Sequence, residues 1–149
     1  SMYGHDRKQM RAVFFRAWQR HRAQLPLTGV EPLVVSVVLR HPEYHALLQD
    51  PAASADRDWS AEAGQTNPFM HMGLHIAIEE QLGLDQPRGV CAHYQALLKQ
   101  GQDAHAAQHR MMDCMGEMLR QAGLKAGAPD PGIYLSCLAQ LCGMRTFSR

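Results

Sequence analysis

A chain of 149 residues is the length of one globular domain and is long enough to bury a core. Lys+Arg 15 against Asp+Glu 14 leaves a formal charge of +1, which argues against the positive field of a nucleic-acid binder. No apolar run approaches the roughly 18 residues that span a bilayer, and no leader pattern precedes the first helical segment, so the chain reads as cytoplasmic.

Ser1 before Met2 reads as a cloning scar, and residues 1–5 are set aside as scar and tail. Residues 7–23 carry Met10, Val13, Phe14, Ala17 and Trp18 at steps of three and four, which predicts an amphipathic first helix. Arg7, Lys8, Arg11, Arg16, Arg20 and Arg22 fall along it and read as a solvated basic face. Thr28 and Glu31 have capping-box spacing, and Pro32 suits a first helical turn. The β-branched run Leu33–Leu39 could be a strand by propensity, but no second strand exists for it to pair with, so it is assigned to a helix. His41 and His45 are spaced by four around Pro42, where His41 reads as the cap of a short helix.

Residues 50–66 are irregular by composition and are expected to be mobile and to border any site that follows. Asn67 and Pro68 then open a central helix that is apolar nearly all round. Later starts are expected at Asp85, Asp103 and Asp130, with Gly123 past the end of the helix after Asp103 and Ile133–Leu141 in the last. The pattern is all-α, a single-domain bundle of about six or seven helices over residues 1–149. Phe14, Trp18, Phe69, Leu74, Ile78, Met112, Met115 and Leu119 are its expected core. The cysteines Cys91, Cys114, Cys137 and Cys142 form no C-x-x-C pair and are expected as free thiols.

The chemistry concentrates in the histidines, of which there are nine. On the central helix His71, His75 and Glu79 repeat at spacing four, and on the helix after Asp103 so do His105, His109 and Asp113. Residues four apart lie about 6 Å from one another on one helical face, so each pair offers one cation two imidazoles. The third position lies about 12 Å along the axis from the first, beyond reach of the same ion. Glu79 and Asp113 are therefore expected as acceptors for imidazole N–H groups or as ligands of a second ion. Face-to-face packing of the two helices, eased by Gly116, would bring His71, His75, His105 and His109 around one metal, with zinc or iron as candidates. Purely structural histidines without a cofactor are the opposing reading.

Three functions compete on this pattern. One is a metal-binding helical module, and another is a protein-interaction or homo-oligomeric module using Met111, Met112, Met115 and Met118. The third is a metal-assisted hydrolase with Glu79 or Glu80 as base.

HPEYH (41–45), EAGQTNPFMHMGLHIAIEEQ (62–81) and DAHAAQHRMMDCMGEML (103–119), with FFRAWQRHR (14–22) and PLTGVEPL (26–33), are spread along most of the chain. Together they resemble a family of short, mainly proteobacterial proteins, domain of unknown function 1841. That family's later motif typically reads H-E-A-E-H, whereas this chain has Ala106 and Gln108 in place of the two acids. The resemblance implies a small cytosolic protein and no particular mechanism.

Overall fold

The computed structural model describes residues 2–60 and 62–143, with side chains from Arg7 onward; Ser1, and the scar reading with it, lies outside the described residues. Among the described residues the chain is all-α, with eight helices, one 3-10 turn and no strand. The helices are α1 (Met2–Arg22), α2 (Glu31–Leu39), α3 (His45–Leu48), α4 (Pro51–Ser54), α5 (Pro68–Leu84), α6 (Val90–Lys99), α7 (Ala104–Lys125) and α8 (Pro131–Leu141), and Pro42–Tyr44 forms the turn. α1 already starts at Met2, where a tail was expected. No helix among the described residues is long and apolar enough to cross a membrane. The chain folds as two compact units, Ser1–Ile76 and Ala77–Arg149, and α5 gives its first half to one and its second half to the other.

In the first unit Phe14, Ala17 and Trp18 of α1 close on Val34, Val35, Val37 and Val38 of α2, with Leu48, Phe69 and Met72 completing the core. The valine run is a helix, as the absence of a pairing strand required. Its start is fixed by Glu31, whose carboxylate accepts the Thr28 N–H at 2.9 Å, the backward half of a capping box. That bond first, with Arg20 and Arg16 adding to it, holds the Glu31 carboxyl below the usual range. Asn67 caps α5 by accepting from the N–H groups of Phe69 at 3.0 Å and Met70 at 3.2 Å.

The α1 register departs from expectation in one respect. Met10 and Val13 are exposed, whereas Arg11, read as part of a solvated face, is only 2% exposed. Its Nη1 donates to the carbonyls of Ser54, Ala55 and Arg57 at 3.3, 3.1 and 2.8 Å. The guanidinium also lies over the rings of Trp59 and Phe69, 5.2 and 4.8 Å from their centroids. A planar, multi-donor cation suits this place because it answers backbone carbonyls that no helix uses while stacking on aromatic faces. Residues 50–66 are correspondingly built: Asp50 caps α4, Arg11 holds the carbonyls, and Arg7 and Lys8 pair with Asp58 and Asp56.

In the second unit the helix starts again follow side-chain caps, with one displacement. Asp103 and Asp130 accept from Ala106 and Gly132, as expected. Asp85 caps from farther upstream, accepting from the N–H groups of Gly89 and Cys91, so α6 begins only at Val90. α7 also runs past Gly123 to Lys125. Its end is a Schellman closure around Ala126 (φ +50°), with Gly127 N–H on Ala122 O at 3.1 Å and Ala126 N–H on Gly123 O at 3.3 Å.

Ile78, Val90, Leu97, Met111, Met112, Met115, Tyr134 and Leu138 are buried here, and Tyr134 donates its hydroxyl to Gln81 at 2.7 Å. Of the expected core, Leu74 is half-buried and Leu119 is exposed. Gly116 offers no close approach either, since a Cβ built there meets nothing within 4 Å. The thiol expectation is corrected at two positions, because Cys114 of α7 and Cys137 of α8 are joined in a disulfide with Cα atoms 5.5 Å apart; Cys91 and Cys142 are free.

Candidate metal centre

Three imidazoles meet in the first unit. His71 and His75 stand one turn apart on α5, so their rings lie on one face, with centroids 4.9 Å apart. The third ring is His41. Pro42 disfavours the helical region for the residue before it, so the chain leaves α2 and turns at His41 (φ −127°, ψ 66°). The His41 ring falls back onto α2, with Nδ1 2.7 Å from the Val37 carbonyl. A carbonyl only accepts, so Nδ1 carries a proton in this contact.

The His41 centroid lies 5.1 Å from that of His71 and 4.8 Å from that of His75. Tyr44 stacks on the His41 ring with centroids 5.5 Å apart and the ring planes nearly parallel. His41 and His75 are fully buried and His71 half-buried. Ring nitrogens of His41 and His75 approach within 4.8 Å, close to the ~4.2 Å that is the most two nitrogens can be apart on one zinc ion. His45 goes elsewhere. Its Nε2 meets the Val38 carbonyl at 2.8 Å and its ring packs on Trp18 at 4.5 Å.

The second unit holds the other pair. His105 and His109, one turn apart on α7, have ring centroids 4.1 Å apart and ring nitrogens within 4.8 Å. Both are half-buried. Between them Gln108 is 1% exposed and donates to Glu79 Oε1 at 2.7 Å. The position read in sequence as a missing acid is thus an amide donor to an existing one. Asp113 and Glu80 are exposed.

A family model described as Domain of unknown function (DUF1841) matches residues 6–140. The chain belongs to this family. The DUF1841 match takes in His41, His71, His75, His105 and His109, and both cysteines of the disulfide. No curated protein and no solved structure matches the chain.

Sequence reasoning missed His41 as a member of the imidazole cluster, having given it to a cap. It occupies that cap position, yet its side chain makes no cap hydrogen bond and its ring joins the cluster. The H-x-x-x-H pair at 41 and 45 was the available signal. All-nitrogen donors of this kind suit zinc, iron, copper, cobalt or nickel. The methionines proposed as a partner face are mostly inside: Met111, Met112 and Met115 are buried, and only Met118 is half-buried.

Proposed function

We propose that the chain is a transition-metal-binding module that uses imidazole ligands. His41 and His75 serve in the first unit, with His71 beside them, and His105 and His109 form a separate imidazole pair in the second unit. The reading is carried by the His41 Nδ1 contact with the Val37 carbonyl inside a cluster of three rings. Metal-bound imidazoles almost always donate their other N–H to a carbonyl or carboxylate, which fixes tautomer and orientation. Glu79, already engaged by Gln108, and Asp113 are assigned as outer acceptors rather than ligands. Zinc and iron are the candidate ions.

The test is elemental analysis of untagged protein, followed by titration of the stripped protein with Co(II), read by its d–d absorption. About one ion per chain is expected, with affinity falling as pH drops below the imidazole range, because protonated rings cannot ligate. His41→Ala and His75→Ala should each weaken binding by at least about tenfold, and His45→Ala should not. If His105→Ala and His109→Ala leave affinity unchanged, the first cluster binds the ion and the second pair is structural. Absence of both native metal and a cobalt spectrum would make the histidines structural.

A further inference from the structure

The disulfide joins two sulfurs in unlike surroundings. Cys114 is fully buried on α7, whereas Cys137 is half-buried on α8 and lines an open cleft of about 660 Å³. The charged side chains lining that cleft, Glu117 and Asp130, are both acidic. Thiol–disulfide exchange requires a thiolate to reach one sulfur of the bond, and access decides which. Of the two bonded cysteines, Cys137 is the one that lines a cleft, and Cys114 is fully buried. The other two thiols of the unit are poor internal competitors. Cys91 donates to the Leu82 carbonyl at 3.1 Å and Cys142 to the His93 carbonyl at 3.3 Å, and burial pushes both thiols up.

We propose that Cys114–Cys137 is an exchangeable disulfide whose accepting sulfur is Cys137 and whose reaction partner is a small uncharged or cationic dithiol. The partner's first thiolate attacks Cys137 Sγ, forming a mixed disulfide; the Cys114–Cys137 bond breaks and Cys114 leaves as a thiolate that takes a proton. The partner's second thiol then attacks its own sulfur in the mixed disulfide and releases Cys137 as a thiol. The protein bond is reduced by two electrons and the dithiol becomes a disulfide. Glu117 is offset by its ion pair with Arg120, and Asp130 keeps the lining net negative, which disfavours anionic thiols such as glutathione. α7 and α8 pack on one another, and Tyr134 and Leu138 of α8 are buried, so the helix pair does not rest on the disulfide alone.

The experiment uses the full chain, isolated without reductant, and reads intact mass and peptide maps under native conditions. Wild type should resist alkylation at Cys114 and Cys137 until dithiothreitol is added. With cysteamine, a monothiol, the trapped mixed disulfide should map to Cys137. Cys114→Ser treated with cystamine should gain one cysteamine at Cys137 at least about tenfold faster than Cys137→Ser gains one at Cys114. Oxidised glutathione should react more slowly than cystamine. Alkylation of both cysteines before reduction, or a mixed disulfide mapping to Cys114, would overturn the proposal. Equal rates for the two reagents would overturn its charge preference. If a serine variant fails to fold, the wild-type cysteamine map decides alone.

Discussion

Phe69→Ala is the sharpest probe of the first unit. Phe69 is 3% exposed. Its ring meets Phe14, Phe15 and Trp59 edge-on, with centroids 5.7, 5.6 and 5.9 Å away, and carries the Arg11 guanidinium on its face. Deleting a buried phenylalanine side chain costs about 3–5 kcal/mol. Edge-to-face partners and a stacked cation each add to the plain burial value, which places this site near the upper end, at about 4–5 kcal/mol. Both tryptophans of the chain, Trp18 and Trp59, lie in this unit, so indole emission during urea unfolding reports on it selectively. With a denaturant slope of roughly 2 kcal/mol per molar, the midpoint should fall by about 2 M at unchanged slope. Phe15→Ala, at a half-buried ring, should cost less. A loss under about 1 kcal/mol for Phe69→Ala would refute the packing argument.

Reducing the disulfide, or Cys137→Ser, opens a covalent loop of sequence separation 23 and should lower stability by roughly 3 kcal/mol, read as a lower melting temperature with dithiothreitol than without. Equal melting temperatures would mean that the bond is not closed in solution. Gln108→Ala removes the donor to Glu79 and should cost about 1–3 kcal/mol, measured by far-UV circular dichroism in urea; a neutral result would show that water replaces the amide. Hydrogen bonds from Arg120 and then Gln121 lower the Glu117 carboxyl to about 2. Its contribution is therefore fully present above the unfolded value of 4.5 and is lost as pH falls through about 2. Arg120→Met should raise the Glu117 midpoint in a carbon-13 titration, and an unmoved midpoint would break the assignment.

Much of the fold was legible because helix starts are local chemistry. Asn67, Asp103 and Asp130 each sit just before their helix and accept its first N–H groups, so a residue type at a fixed offset was sufficient. Asp85 misled because its carboxylate reaches across residues 86–88 to cap α6, a conformation that no offset rule encodes. Gly123 misled because an exposed helical glycine is tolerated, and the left-handed residue that ends α7 is Ala126. The histidine pairs were visible through helical period. His41 was not recognised because it joins them through a turn thirty residues away, as Cys137 joins Cys114 from a neighbouring helix. Arg11 shows the same limit on α1, where periodicity assigned a charged side chain to water and the loop carbonyls took it inside.

The fastening of residues 54–58 has two tiers that answer differently to ionic strength. The outer tier is Arg7 and Lys8 on Asp56 and Asp58, exposed charges that dissolved salt screens over a few ångströms at molar concentration. The inner tier is Arg11 on three carbonyls and two aromatic faces, held away from solvent, where mobile ions have little access. Raising salt should therefore loosen the acidic tip at Asp56 and Asp58 while Ser54, Ala55 and Arg57 stay seated. The segment would behave as a flap with a salt-indifferent hinge, one whose outer edge responds to the ions around it.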